Sequence, residues 1–199
     1  DGRMAVEAAT ATRAERARTG AARLCLNMIV KDESAIVERC LASVAPAISH
    51  YVVCDTGSAD DTRARIAAFF AARGIPGEIH DIPFVDFGVA RNAALDRARA
   101  SSAAFDYLLL VDADMELEIA DPAFRDRLSA PAYHVRQHNG CSYWNARLVR
   151  RDVPARYVGA THEYLSVDGP AERLDGVAFA DHACGSSRGE KTERDLALL

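Results

Sequence analysis

The sequence predicts an α/β fold, a mixed and mostly parallel sheet flanked by helices, and three observations lead there. Short apolar runs, RLCLNMIV (23–30), HYVVCD (50–55) and YLLLVDAD (107–114), alternate with segments of helical period, the pattern of βαβ units. The runs are continuously apolar rather than alternating, as in strands covered on both faces. Each is followed at once by acidic and turn-forming residues, at the carboxyl ends of strands where open sheets of this kind bind ligands.

Taken in order, residues 1–22 are rich in Ala and Arg and read as a tail or loose helix, with Asp1–Arg3 an addition ahead of Met4. The first strand covers 23–30. After KDES (31–34), Asp32 or Ser34 is placed to cap a helix over 35–46, whose apolar residues are Ile36, Val37, Leu41 and Val44 and which Pro46 closes. HYVVCDTGSADDT (50–62) is a second strand running into a Gly/Ser/Asp turn, DTRARIAAFFAAR (61–73) a second helix ended by Gly74, and EIHDIPF (78–84) a weaker third strand. GVARNAALDRARA (88–100) is a third helix and YLLLVDAD (107–114) a fourth strand. After Pro131 the pattern changes: AYHVRQH (132–138) and YWNARLVRR (143–151) are two strands joined by a turn at NGCS, and HEYLSV (162–167) is another. This half is expected to extend the sheet in a mixed, partly antiparallel way. GEKTERDLALL (189–199) reads as a helix that stops in mid-pattern, so a longer protein is expected. The resulting division is a tail (1–22), a main domain (23–188) and a final helix (189–199).

Composition narrows the function classes. With 199 residues the chain can bury a substantial single core, and 49% apolar with 27% charged residues is ordinary for a globular domain. A net charge of −5, without basic and aromatic residues interleaved, argues against nucleic acid. No apolar run is long enough for a transmembrane segment, and no signal peptide is visible. The five cysteines (25, 40, 54, 141, 184) form no CxxC pair and are odd in number, which argues against a disulfide framework or a Cys-rich zinc site. Cys25 and Cys54 read as small core residues, and a reducing, cytoplasmic location is expected.

The chemistry concentrates in the acidic clusters Asp32-Glu33, Asp55 and Asp112/Asp114. Two carboxylates ending a buried run are costly unless something offsets them. If the strand extends that far, alternation points Asp112 and Asp114 the same way. Carboxylates with phosphate oxygens suit Mg²⁺ or Mn²⁺, so a metal–diphosphate site is one reading, and two solvated turn aspartates the other. No GxxxxGK[ST] loop and no GxGxxG after the first strand is present, which disfavours a P-loop or dinucleotide site. The DxD also lacks the following Thr of haloacid dehalogenase-type phosphatases.

In order and spacing, LCLNMIVKDESAIVERCLASV, YVVCDTGSADDT, VARNAALDRA, LLLVDADMEL, NARLVRR, VGATHEYL and DHACGSSRGEKTERDLALL resemble a family-2 glycosyltransferase of the GT-A fold, over roughly residues 23–199. They are most similar to the subgroup often linked to tetratricopeptide repeats. The resemblance implies a Rossmann-like nucleotide-binding half, a smaller mixed acceptor half, a nucleotide-sugar donor (UDP by default), Mn²⁺ or Mg²⁺, and inverting transfer to an acceptor hydroxyl on a saccharide, lipid, peptide or natural product. It implies that Asp55 hydrogen-bonds the base, that Glu33 lies beside the base or ribose, and that Arg91 lies near the ribose or diphosphate. Asp112 then faces the ribose or the metal, Asp114 ligates the metal, and His182 matches a third ligand. Glu163 is the candidate general base, with His162 the alternative or its orienting partner; many relatives have a Glu-Asp pair where this chain has His-Glu.

Each assignment has a structural counterpart. Asp55 can cap its own turn, Glu33 is a favourable helix-start residue, Arg91 can be a surface helix residue and His182 a loop histidine. Trp144 reads as a packed aromatic, and Arg147, Arg150, Arg151 and Arg156 as a solvated face that could also meet the diphosphate. Two further functions compete: a non-catalytic nucleotide- or sugar-binding module of the same fold, and a sugar nucleotidyltransferase, for which the Gly-rich phosphate loop is missing.

Overall fold

The computed structural model describes residues 20–161 and 163–185. Its centre is an eight-stranded sheet in the order β3-β2-β1-β4-β7-β6-β10-β5. The strands are β1 (Leu24–Val30), β2 (Ile48–Asp55), β3 (Gly77–Asp81), β4 (Tyr107–Leu110), β5 (Met115–Ile119), β6 (Ala132–His138), β7 (Ser142–Arg150) and β10 (Ala171–Asp181). A separate two-stranded ribbon pairs β8 (Ala155–Val158) with β9 (Tyr164–Val167). β3, β2, β1 and β4 are parallel, while β7 joins β4 antiparallel and opens the mixed half. The expected α/β class, with parallel and mixed halves, is the architecture observed.

Alternation along β1 divides the core. Leu24, Leu26, Met28 and Val30 face α1 (Val37–Val44) and α2 (Thr62–Ala71), whose Leu41, Val44, Ile66 and Phe70 close that layer. Cys25 faces the other way, toward Leu95 and Ala98 of α3 (Phe87–Ala100). Asn27, on that face too, is buried yet satisfied: its amide donates to the Val52 and Ala94 carbonyls, as a buried polar group requires.

Several expectations are corrected. Neither Asp32 nor Ser34 caps α1: Ile36 holds the N-cap position without a side-chain bond. Asp32 instead has φ 53°, and its carboxylate accepts from the Ala59 and Asp60 N–H groups of the next loop. β4 ends at Leu110, so Asp112 and Asp114 lie in a turn closed by Met115 N–H donating to the Asp112 carbonyl. The strand after Gly159 is not part of the main sheet but pairs with β8. β5, β8 and β10 had no counterpart in the sequence reading. β10 is hard to see because its first half is exposed and Gly176, at φ 88°, interrupts it; the pairing with β6 shifts register there. The expected helix over 189–199 lies outside the described residues.

Candidate active site

Parallel pairing builds the site. Register aligns Val30 with Asp55 and Asn27 with Leu110, so the carboxyl ends of β2, β1 and β4 lie side by side at one end of the sheet. The loops that follow β1 and β2 are tied together. Asp32 N–H donates to Ser58 Oγ, Glu33 N–H to Thr62 Oγ1 at 2.7 Å, and Ser34 N–H to Asp60 Oδ2. Burial alone would raise the Asp60 pKa; hydrogen bonds from Ser34 and Thr62 win and hold it well below the usual carboxylate range.

Asp55 ends β2 and is 1% exposed. Its Oδ1 accepts from Gly57 and Ser58 N–H, both at 2.7 Å, which is the turn-capping role. Its Oδ2 is buried and meets no donor among the described residues. A buried acceptor left unpaired costs free energy, and this oxygen has the capacity to accept a further donor. Glu33, also buried, opens the first turn before α1.

β4 ends before Asp112, so strand alternation does not set the directions of Asp112 and Asp114. Asp112 Oδ1 is 2.7 Å from Arg91 Nη2 and its Oδ2 is 3.1 Å from Arg147 Nη1. Burial would raise its pKa, but Arg91 and then Arg147 outweigh that and hold it well below the ordinary range. Burial would likewise lower the Arg91 pKa, and Asp112 is the first of the groups that raise it instead. Arg91 also donates through Nε to Glu163 Oε1 at 2.5 Å, and its guanidinium lies 5.5 Å from the Tyr157 ring centre. The structure thus gathers Arg91, Asp112 and Glu163, residues from α3, the turn after β4 and the ribbon loop. That loop is pressed onto α3: a Cβ on Gly88 would overlap the Gly159 carbonyl, and Phe87 N–H donates to Ala160. His162 lies outside the described residues.

Of the four arginines that sequence reasoning placed on a solvated face, Arg147 is buried. It is 6% exposed, and besides Asp112 it donates to Gln137 Oε1 at 2.9 Å and to the Leu110 carbonyl. Of its neighbours in sequence, Arg150 pairs with Asp152 and Arg156 with Asp96, while Arg151 donates to the Arg99, Ser101 and Ala103 carbonyls. No local signal singles out Arg147, because Arg150 flanks the same apolar pair, Leu148 and Val149.

Asp114 is buried, and its Oδ2 accepts from Gly185 N–H at 3.1 Å. A Cβ on Gly185 would lie 3.3 Å from both Asp114 Oδ2 and Glu33 Oε1, so the two carboxylates flank that residue. His182 donates its backbone N–H to the Asp114 carbonyl, but its ring Nε2 is 2.8 Å from Glu116, which also pairs with Arg39. Among the described residues no three His, Cys, Asp or Glu side chains form a metal cage. The donor chemistry at Asp114 still fits a hard divalent ion, because Mg²⁺ is commonly held by one or two carboxylates with substrate phosphates supplying the rest. Asp112, engaged by two guanidiniums, fits that role less directly than Asp114.

The family described as Glycosyl transferase family 2 matches residues 25–153. A TPR repeat-containing protein of Synechococcus elongatus is 39% identical over 111 residues, 55% of this chain and 25% of its own length. Residues 1–349 of S. aureus TarS, solved with UDP-GlcNAc, align with TM-score 0.46 and 18% identity over 60% of this chain and 36% of that one. Glucosyl-3-phosphoglycerate synthase from Mycobacterium tuberculosis, solved with Mn²⁺, UDP and phosphoglyceric acid, aligns with TM-score 0.42 and 21% identity over 62% of this chain and 46% of that one. The chain spans a quarter of the curated relative's length and less than half of these solved chains.

Proposed function

The chain belongs to glycosyl transferase family 2, and from that premise we propose that it transfers a sugar from a nucleoside diphosphate sugar, UDP-linked in the first instance, to an acceptor hydroxyl with inversion. The observation that supports the donor reading is the buried Oδ2 of Asp55, which meets no donor among the described residues. The N3–H of uracil or thymine, or the N1–H of guanine, supplies the donor it lacks. Cytosine offers a lone pair at N3 and does not. Glu33, at the same end of the sheet, lies beside the base or ribose.

Asp114, with Glu33 close by and His182 adjoining through the backbone, is the residue that would hold Mn²⁺ or Mg²⁺ together with the diphosphate. When bound, the ion offsets negative charge developing on the leaving group. The protein's own residues do the rest. Arg91 offers a permanently charged guanidinium to phosphate. Asp112 orients Arg91 and faces the ribose. Glu163 takes the acceptor hydroxyl proton as the oxygen bonds to the anomeric carbon, and the bond from that carbon to the diphosphate breaks, releasing the nucleoside diphosphate. The five cysteines are free, which supports a reducing compartment such as the cytoplasm. No helix among the described residues is long and apolar enough to cross a membrane.

One observation favours the alternative of a binding module: Glu163 is already occupied by Arg91. Titration of UDP, dTDP, GDP and CDP with Mn²⁺ and with EDTA, followed by donor turnover with the matching nucleotide sugars, separates the two. Metal-dependent binding with turnover supports the transferase. Binding without turnover across the donor panel supports the module, and no binding of any nucleotide sinks both.

A further inference from the structure

We infer that Arg91 is a shared cation that couples donor loading to release of Glu163, so that the base is freed only when a diphosphate occupies the site. The inference rests on the donor reading above. Its basis is an asymmetry in the chain of charges Arg147–Asp112–Arg91–Glu163. Asp112 has two cations, Arg91 at 2.7 Å and Arg147 at 3.1 Å. Among the described residues, Arg91 is the cation paired with Glu163, at 2.5 Å.

All four groups are largely withdrawn from water. The side chains of Arg91, Glu163 and Arg147 are 17%, 12% and 8% exposed, and that of Asp112 is 23% exposed. Screening by solvent is therefore weak, and the partners compete for one guanidinium at short range. When an anionic diphosphate draws Arg91, Asp112 keeps Arg147. Glu163 is left without its cation, and its carboxylate turns from a salt-bridge acceptor into an acceptor for the incoming hydroxyl proton. Arg147 acts through Asp112 and is in this sense a positioning residue: it lets Arg91 move without leaving Asp112 uncompensated. Tyr157, whose backbone N–H and carbonyl are both bonded to Asn92 of α3, holds the ribbon in place while Arg91 moves over its ring.

Coupling between sites is reciprocal. If donor phosphate releases Glu163, the Glu163 charge must oppose donor phosphate. Glu163→Gln removes the competitor at equal size, and UDP then binds about 10-fold more tightly, within the usual range for coupled sites. Plain repulsion between Glu163 and the diphosphate would give the same sign, so a direct observation of Arg91 is needed. The test uses the 199-residue chain with Mg²⁺, which is diamagnetic. The Nε–Hε resonance of Arg91, identified by its loss in Arg91→Lys, is followed during UDP titration beside calorimetry of wild type and E163Q. In wild type, UDP is expected to shift that resonance as the carboxylate bond opens. A resonance that stays in place while UDP binds overturns the coupling, and so does an affinity that E163Q leaves unchanged. Those two outcomes leave the donor reading standing; failure of wild type to bind UDP, GDP or dTDP overturns both. The resonance needs no variant of Glu163, so it decides even where E163Q fails to fold.

Discussion

Replacing Asp55 with Asn tests the donor site at one atom. In the protein Oδ1 accepts two backbone N–H groups at 2.7 Å, while Oδ2 is buried and meets no donor among the described residues. The Asn amide has one way to fit: its oxygen must take the place of Oδ1, because the NH₂ group there would face Gly57 and Ser58 N–H. The NH₂ therefore replaces Oδ2 and presents a donor to the N3–H of uracil. Loss of a hydrogen bond to a charged group is worth about 1.5–3 kcal/mol, or roughly 10- to 150-fold in Kd. In the free protein a buried oxygen without a donor is exchanged for an NH₂ without an acceptor, so the melting temperature is expected to change little. The base preference also moves: the Asn NH₂ can donate to cytosine N3, and CDP gains on UDP. Calorimetry of UDP and CDP against wild type and D55N, with thermal unfolding of both, checks all three. UDP binding in D55N within twofold of wild type, or a CDP/UDP ratio that does not move, refutes the assignment of Oδ2 to the base.

Further outcomes follow from the same geometry. Asp114→Ala is expected to abolish the difference between UDP binding with Mn²⁺ and with EDTA while leaving the circular dichroism spectrum unchanged; a retained metal effect would place the ion elsewhere. Arg147→Gln removes one of two cations from a buried pair, a change that costs about 3–5 kcal/mol where the remaining charge is fully enclosed. Asp112 keeps Arg91 and some solvent, so the lower end, about 3 kcal/mol, is expected in urea unfolding at neutral pH. The Asp112 carboxyl lies below its ordinary value in the folded chain because Arg91 and Arg147 prevail over burial. Its contribution is therefore complete above the unfolded value of about 4 and is lost as pH falls below it. A melting-temperature profile from pH 7 to pH 3 should fall less steeply in Asp112→Asn than in wild type. Gly88→Ala forces a methyl against the Gly159 carbonyl and is expected to destabilise by about 1–3 kcal/mol, as overpacking does, again by urea unfolding.

The parallel half was legible because a strand buried on both faces must be apolar throughout, and β1 and β2 are so apart from Asn27 and the ends of β2. The mixed half was legible only where strands are long and hairpin-linked, as in β6 and β7. β10 escaped because its exposed first residues, Ala171 to Arg173, follow no apolar alternation and Gly176 reads as a break. β5 escaped because MELEI sits directly after the DAD turn and was absorbed into it.

The site divides along the same physical line. Candidate residues placed by position along a strand, such as Asp55 at the end of β2, can be found from pattern, since the parallel topology fixes where strand ends go. Residues that function by what they meet across the fold cannot. Nothing in the local sequence of Arg147 distinguishes it from Arg150, three residues on, yet one is buried on Asp112 and the other pairs with exposed Asp152. The difference is which face of β7 looks toward the carboxyl end of β4, and that depends on the antiparallel register of Leu109 with Leu148. A one-residue slip would have sent Arg147 to the opposite face and left Asp112 with Arg91 alone. In that arrangement Arg91 could not leave for a phosphate without stranding a partly buried carboxylate. The β4–β7 register thus gives Asp112 its second cation, and the two carboxylates of the DxD are offset differently. Asp112 is offset by guanidiniums the fold supplies, and Asp114 has the chemistry to meet an ion that arrives with the substrate.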